Sequence, residues 1–216
     1  MWWSDPLILI PFIPVLLLAL TLHEFGHAWT ALQFGDPTAK LQGRVTFDPL
    51  KHLDVMGTLF MFFVGFGWAK PVPVNPANFR PGQRRQAELW VSLAGIIANL
   101  LQAVAYALVW RVLMLVDPSM LYGSTFLQRF LLLGVLINLA LAIFNLLPIY
   151  PLDGAHVMKN ILPLRQAIPF VEFSQRYGAM ILMALVVVGL FSDVSPLSMI
   201  IVVPRNWLAG LLLPGF

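Results

Sequence analysis

The sequence predicts an all-α polytopic membrane protein, one that crosses the bilayer several times. Hydrophobic residues make up 59% of the 216 positions and charged residues only 11%, whereas soluble domains carry about 25% charged residues. The mean hydropathy is +0.83, and the apolar residues are grouped in long segments. Such segments have the length and composition of transmembrane helices, which excludes a soluble globular domain.

The first apolar segment predicts a long helix over residues 5–34. Pro11 and Pro14 fall inside it, and a Gly-Asp-Pro triplet at residues 35–37 predicts a stop and a turn. The segment is too long for the apolar part of a secretory signal peptide and has no basic region before it. We therefore expect this helix to be retained as the first membrane span.

Residues 39–87 have a different character. Side chains at 40–47 alternate between polar and apolar, which predicts a strand or a small membrane-associated β-hairpin. Residues 56–68 are apolar but short and rich in glycine, a length that fits a re-entrant or interfacial segment better than a span. The X-Pro pairs at residues 70–76 favour extended backbone.

Three longer apolar segments follow, at residues 88–115, 126–147 and 177–190. The first two are long enough to span a bilayer, and the third is short and therefore marginal. The C-terminal residues 196–216 are apolar but are interrupted by Pro-Arg-Asn at 204–206. Whether they cross the membrane is left open by the sequence.

The whole of residues 1–216 is expected to form one membrane domain. A three-helix core covers about residues 5–157, and one or two further membrane segments cover about residues 177–214. No stretch has the composition of a separate soluble module.

Basic residues are concentrated in two loops of this arrangement. Seven of the 13 Lys and Arg residues lie at positions 40–85, and three lie at positions 159–176. Cytoplasmic loops of membrane proteins carry an excess of Lys and Arg, so the end of the first helix is expected to face the cytoplasm. The sequence therefore predicts a multi-pass protein of the cytoplasmic membrane, in contact with the lipid bilayer. Because the charges flank membrane segments, a nucleic-acid partner is not expected.

The C-terminal half of the first helix contains His23, Glu24 and His27 in an HExxH pattern. Residues four apart share a helix face, so both imidazoles can bind one Zn²⁺ while Glu24 reaches a water on that metal. Ionisable groups at membrane depth are expensive and are rarely kept without a partner or a function, which argues against two merely structural histidines. The chain has no cysteine, so any metal is held by His, Asp or Glu. One zinc ion per chain is the expected cofactor.

Two histidines leave a catalytic zinc one protein ligand short, because such sites typically use three. Asp153 stands out, since it follows the apolar segment at residues 126–147. As the third span, that segment returns to the same side of the membrane as the HExxH motif. An Asp-Gly pair is also ordinary turn chemistry, so a turn-forming role is an alternative. The other candidates are Asp48, His52, Asp54, Glu88 and His156.

Several motifs of the chain resemble the site-2 protease family of intramembrane metalloproteases, in particular its short bacterial members. The resemblance covers about residues 20–157, which is most of the expected core. The matching motifs are HEFGH at 23–27, GRVTFDPL at 43–50, GWAKPVPV at 67–74, GIIAN at 95–99 and NLLPIYPLDG at 145–154.

This resemblance implies that His23, His27 and Asp153 are zinc ligands and that Glu24 is the general base in cleavage of a substrate helix near the bilayer. The family commonly has proline where this chain has Ile96, and we expect a packing change there without loss of zinc. No PDZ or CBS domain has room in the chain. Substrate selection is therefore expected to come from the membrane core or from a regulatory membrane partner.

Two amide side chains fall within the expected spans. Asn145 lies upstream of Asp153 on the same segment, where its NH₂ group could stabilise the oxyanion of the reaction or hold the substrate. Asn145 and Asn99 could equally bind backbone across a helix interface. His156 is expected near the metal without binding it. The expected strand at 41–47 could receive an unwound substrate by strand addition, or it could be a plain hairpin.

The sequence thus predicts an intramembrane zinc endopeptidase that cleaves transmembrane or membrane-anchored proteins near the cytoplasmic face, as in regulated intramembrane proteolysis. Two alternatives are a membrane zinc hydrolase acting on a non-peptide amide and a non-catalytic membrane binding protein. The presence of Glu24 and of all three expected ligands argues against the second alternative. The sequence does not indicate the oligomeric state.

Overall fold

The computed structural model describes residues 6–64, 67–191 and 195–213, and in these residues it contains nine α-helices and no β-strand. Four of the helices are long and apolar enough to cross a membrane, which confirms the all-α polytopic fold. These four are α1 (Pro6–Gln33), α4 (Arg84–Val116), α6 (Thr125–Leu146) and α8 (Leu164–Phe191). The shorter helices are α2 (Thr38–Leu41), α3 (Val55–Val64), α5 (Pro118–Tyr122), α7 (Asp153–Ile161) and α9 (Pro196–Leu212).

Helix α1 matches the predicted first span, although Asp5, its expected start, lies outside the described residues. Pro11 and Pro14 are accommodated inside the helix, and Pro11 is fully buried. The chain turns away after the helix at Gly35, whose φ of 102° lies in the left-handed region that glycine adopts without strain. The predicted stop therefore has a local cause.

Helices α1, α4 and α6 form the central bundle of the molecule. Small residues let their backbones approach closely, as in other helical membrane bundles. Ala19, Ala103 and Ala107 are buried between the helices. A Cβ at Gly134 of α6 would overlap the ring of Tyr106 on α4. Helix α1 of this bundle carries the HExxH motif.

The predicted strand or β-hairpin at residues 41–47 is wrong. Leu41 is the last residue of α2, and the residues that follow form turns and bends. Burial in this loop does not follow the alternation, because the apolar Leu41 and Phe47 are exposed whereas Arg44 is only 4% exposed. Arg44 donates to the carbonyl oxygens of Pro71 at 2.9 Å and Lys70 at 2.6 Å, so its burial depends on a distant segment.

The rest of this region agrees better with prediction. Helix α3 has ten residues, too few for a span and appropriate for a re-entrant or interfacial segment. Residues 70–75 form no helix, as the X-Pro pairs predict. Among the residues described here, β pairing is limited to one isolated antiparallel bridge between Leu53 and Ala69. Gly65, one of the glycines noted in the sequence, lies outside the described residues.

The C-terminal helices differ from prediction in length. Helix α8 begins at Leu164, well before the expected start at residue 177, because its first turns contain polar residues that a search for apolar runs leaves out. Helix α9 has 17 residues and continues through Pro204, and it packs against α6. Ser192 and Asp193, the expected break after α8, and residues 214–216 lie outside the described residues.

Candidate metal centre

His23 and His27 lie one turn apart on the same face of α1, as the HExxH spacing predicts. Their side chains are buried, and their Nε2 atoms lie 3.1 Å apart. Asp153, the first residue of α7, places Oδ2 3.3 Å from both Nε2 atoms. The fold therefore brings these three residues into one cluster that could hold a metal ion.

The second nitrogen of each ring determines the tautomer. Nδ1 of His23 lies 2.6 Å from Oδ1 of Asn99, and Nδ1 of His27 lies 2.6 Å from the carbonyl oxygen of Val91. The Val91 oxygen is a backbone carbonyl and can only accept. The Asn99 atom is also the amide oxygen, because the amide nitrogen donates to the carbonyl of Ala19 at 3.2 Å. Each Nδ1 therefore carries a proton, and each Nε2 directs an unshared electron pair at the cluster.

Three atoms with unshared electron pairs thus face one another in a buried place. Oδ2 of Asp153 has no hydrogen-bond donor among the described residues, and burial of an unpaired carboxylate is costly. A cation at the centre of the cluster would satisfy all three atoms. Donors about 2.0–2.1 Å from a tetrahedral Zn²⁺ lie about 3.3–3.4 Å apart, close to the observed separations of 3.1 and 3.3 Å. The residues fit zinc.

The charge of Asp153 also suits a cation. Metal binding requires the ionised form of a carboxyl group, and an aspartate with its ordinary pKa of about 3.9 is in that form at neutral pH. Two imidazoles and one carboxylate form a common donor set of catalytic zinc sites.

Gly154 allows Asp153 to reach the histidines. A Cβ at Gly154 would overlap the carbonyl groups of Leu146 and Leu147 at the end of α6. The start of α7 therefore packs directly against the α6 backbone, and glycine is the residue that permits this contact.

Polar contacts attach the rest of α7 to α4. Nζ of Lys159 lies 2.5 Å from Oε2 of Glu88. Arg85 donates to the carbonyl oxygens of Asn160 at 2.9 Å and Leu162 at 2.5 Å. Because α4 also packs against α1, these contacts keep the Asp153 carboxylate of α7 next to the two histidines of α1.

Helix α4 approaches the imidazoles closely because residue 95 is glycine. A Cβ at Gly95 would lie 2.6 Å from Cε1 and 2.7 Å from Nε2 of His23, and nearer still to Nε2 of His27. Any side chain at this position would displace the rings. The close approach also brings Asn99, one turn further along α4, into contact with His23.

Glu24 and the three clustered side chains of His23, His27 and Asp153 line a cavity of about 570 Å³. Glu24 is 8% exposed and follows His23 directly on α1. The polar side chains of Ser92, Glu88 and Lys159 line the same cavity. The cavity offers room for a segment of polypeptide and for water beside the cluster.

Asn145 lines this cavity as well. Its Nδ2 donates to the carbonyl oxygen of Leu141 at 3.1 Å, one turn earlier in α6. One of its two N–H groups is therefore engaged within its own helix. Its expected role in binding the oxyanion stays a prediction.

The other candidate ligands have different contacts. Asp48 and Asp54 accept hydrogen bonds from backbone N–H groups at the start of nearby helical turns. Glu88 is paired with a lysine of α7, and His52 is fully buried and bonded to a backbone carbonyl. His156 lines the cavity without joining the three-residue cluster.

Asn99 is the residue whose place in the site sequence reasoning did not find. Its Nδ2 donates to Oδ1 of Asn138 on α6 at 2.9 Å, and both amides are fully buried. The available signal was a polar side chain inside an apolar span, which is expensive unless it has a partner. An amide network thus joins three helices beside the histidines.

Comparisons with known proteins point to the same chemistry. Residues 111–189 match the family model described as Peptidase family M50. The chain is 38% identical over 191 residues to YwhC of Bacillus subtilis (strain 168), which is named provisionally as a zinc metalloprotease. That match covers 88% of this chain and 86% of the Bacillus protein.

Two mycobacterial proteins named Rip2, also provisionally called zinc metalloproteases, match over a shorter region. The identity is 35% over 143 residues in Mycolicibacterium smegmatis and 36% over 145 residues in Mycobacterium tuberculosis (strain H37Rv). Each match covers 64% of this chain and 52% of the mycobacterial protein, so the matched region spans about half of Rip2. No solved structure gives a significant match.

Proposed function

Since the chain belongs to peptidase family M50, the site-2 protease family of zinc metalloproteases, we propose that it hydrolyses peptide bonds of transmembrane or membrane-anchored proteins near the cytoplasmic face of the bilayer. One observation carries the proposal. His23, His27 and Asp153 direct three electron-pair donors at one point beside Glu24, within a bundle of helices long enough to span a membrane. This arrangement suits hydrolysis with a metal and a base.

Each part of the site has a chemical task in this reaction. His23, His27 and Asp153 would hold a zinc ion, which would supply Lewis-acid chemistry and lower the pKa of water there toward about 7. Glu24 accepts the proton of the attacking water and delivers it to the leaving amide nitrogen. Asn99 and the carbonyl of Val91 keep the imidazole rings turned toward the cluster.

The depth of the motif in α1 supports cleavage inside the membrane boundary. His23 lies ten residues before Gln33, the end of the helix, which is about 15 Å along the helix axis. The hydrocarbon core of a bilayer is about 30 Å thick, so the site would lie well below the membrane surface. The polar cavity side chains of Ser92, Glu88 and Lys159 would admit water to that depth.

The distribution of Lys and Arg supports a cytoplasmic active site. Ten basic residues flank the end of the bundle that carries His23, His27 and Asp153. Seven of them lie at positions 40–85 and three at positions 159–176. Under the positive-inside rule this end faces the cytoplasm. We therefore place the protein in the cytoplasmic membrane with cleavage near its inner face.

A substrate helix must be unwound before it can be cleaved, because the backbone groups of a membrane helix are hydrogen-bonded within it. Asn145 lines the catalytic cavity and keeps one amide N–H beyond its bond to Leu141. We assign this N–H to a carbonyl oxygen of the unwound segment or to the oxyanion formed from it.

The proposal is tested with the purified full chain in lipid vesicles and a model transmembrane peptide. We expect cleavage to require one zinc ion per chain. Glu24→Gln should retain zinc and lose cleavage, because the amide keeps the shape but cannot accept a proton. Glu172→Gln changes an exposed glutamate of α8 and is the matched control. Wild-type rates in Glu24→Gln would overturn the proposal.

A further inference from the structure

A second cavity, of about 310 Å³, adjoins the catalytic cavity. It lies between α1, α3, α6 and α9. The two cavities share part of their lining, so they lie side by side. The shared residues are Leu20, Gly67, Trp68, Leu141 and Phe144.

The second cavity is almost entirely apolar. The described residues that line it include no Asp, Glu, Lys, Arg or His. Thr58 contributes the one hydroxyl group among them, and that group already donates to the carbonyl oxygen of Asp54 at 2.6 Å. A charged group would lose its hydration on entering this space without gaining a partner, so the cavity selects apolar groups.

The volume of the second cavity suits large side chains. The second cavity offers about 310 Å³. An extended chain that passes through the catalytic cavity can place one or two large apolar side chains there.

The outer wall of this cavity is closely fitted. A Cβ at Gly57 of α3 would overlap the carbonyl oxygen of Trp68, and a Cβ at Gly67 would overlap the carbonyl oxygen of Gly57. The ring centroids of Phe60 and Trp68 lie 5.4 Å apart. Helix α3 and Trp68 therefore form one wall, and Trp68 lines both cavities.

We propose that the second cavity, here called the apolar subsite, binds one or two large apolar side chains of the substrate next to the peptide bond that is cleaved. The proposal rests on the proposed function and deepens it, because it states which residues are preferred beside that bond. The position next to the catalytic cavity, the lack of charged lining and the volume all support this occupant. Thr58 of α3 and Ala140 of α6 lie on different walls of the apolar subsite and provide positions for its test.

Disulfide formation tests occupancy without requiring activity, because the chain has no cysteine of its own. Thr58→Cys is introduced into the full chain together with Glu24→Gln, and the protein is mixed in vesicles with model transmembrane peptides that carry one cysteine at successive positions. We expect disulfides with a window of a few peptide positions beside the bond that the wild type cleaves. Thr125→Cys is the matched control without disulfides, since Thr125 is exposed and lies nineteen residues before Phe144, about 29 Å along α6.

Filling the apolar subsite tests specificity. The model peptides differ only in carrying Ala or Leu beside the cleaved bond, and the wild type should prefer Leu. In Ala140→Phe we expect that preference to fall by roughly 10-fold or more, the range expected when a few methylene groups no longer fit an apolar pocket. Ala105→Phe, at an exposed position of α4, should keep the wild-type preference. Ile137→Ala enlarges the apolar subsite and should shift the preference toward Phe, which covers the case in which Ala140→Phe does not fold.

The outcomes separate this inference from the proposed function. The inference is overturned if the preference is unchanged in both subsite variants, or if Thr58→Cys forms no disulfide. Either result is expected if a lipid acyl chain fills the space. Disulfides with every peptide position overturn it too, because they indicate an unselective apolar surface. If the wild type cleaves no peptide, the proposed function fails, and the disulfide window alone still decides whether the apolar subsite takes substrate side chains.

Discussion

Oδ1 of Asn99 lies 2.6 Å from Nδ1 of His23, and this contact joins the metal centre to the interior of the helix bundle. The same amide donates to the carbonyl of Ala19 and to Oδ1 of Asn138. Asn138 donates in turn to the carbonyl of Gly134 in its own helix. The orientation of the His23 ring therefore depends on packing among α1, α4 and α6, in surroundings where an unpaired polar group is costly.

We expect Asn99→Ala to weaken zinc binding about 10–100-fold, the usual cost of removing a partner that orients a metal-binding histidine. Chelator competition on the purified protein measures the affinity, and thermal unfolding measures stability. Asn138→Ala leaves the direct contact to His23 in place, so it should lower stability and weaken zinc binding less than Asn99→Ala does. Unchanged affinity in Asn99→Ala would contradict the orienting role.

Asp153→Ala should lose bound zinc and cleavage together, because it removes one of three donors. The measurement is the metal content per chain after dialysis. Asp48→Ala is the control, since that carboxylate accepts only the N–H of Leu50 among the described residues and lies near the surface. If Asp153→Ala retains zinc, another donor such as His156 completes the ligand set.

Gly95→Ala should reduce cleavage at least about 100-fold, because a displacement of about 1 Å in a catalytic group has that effect. The added Cβ would meet the imidazole of His23 at 2.6 Å. Gly210→Ala on α9 meets no atom within 4 Å and should leave cleavage intact, with a stability gain of about 0.5–1 kcal/mol. Full activity in Gly95→Ala would show that α4 can move away without disturbing the ligands.

Asp36 predicts a pH dependence of stability outside the membrane segments. It is fully buried and accepts hydrogen bonds from the hydroxyl and the amide of Thr38, the amide of Asn75 at 2.7 Å and the side chain of Asn78 at 2.9 Å. Burial raises the pKa of the Asp36 carboxyl, but these hydrogen bonds lower it by more, so the pKa lies below its ordinary value.

A carboxyl group whose pKa is depressed in the folded state stabilises the fold above its unfolded pKa of about 3.9, and that contribution is lost as the pH falls through the folded pKa. The wild type should therefore lose more stability below about pH 4 than Asp36→Asn, as measured by thermal unfolding across pH. Parallel curves for the wild type and Asp36→Asn would contradict this assignment.

The orientation of the chain can be tested by cysteine labelling in intact cells. A cysteine replacing Gln166 should be shielded from an impermeant reagent added outside, and one replacing Ser119 should react, because the basic loops are expected in the cytoplasm. Both positions are exposed, and the chain contributes no other cysteine. Labelling at residue 166 from outside would invert the topology and place the metal cluster at the opposite face.

Local features of the sequence were enough to predict the spans and the histidine pair. An apolar run of sufficient length forms a membrane helix wherever it lies in the chain, because its backbone groups can be satisfied only internally. His23 and His27 share a face of any helix that contains them, because they are four residues apart. Asp153 could be predicted as a ligand because it follows a span that returns to the same side as the motif.

Contacts between distant segments could not be read in this way. The partner of His23 is Asn99, 76 residues away, and Gly95 matters because two helices cross there. Arg44 is buried through bonds to carbonyl groups 26 and 27 residues away, and the local alternation of polar and apolar residues gives no sign of these contacts. Helix α8 extends beyond its apolar run because hydropathy reports the preference for lipid, whereas a helix boundary also depends on capping and packing. Residue type and spacing therefore determined the spans and placed two histidines on one helix face, and packing between helices determined how His23, His27 and Asp153 are oriented and where the cavities lie.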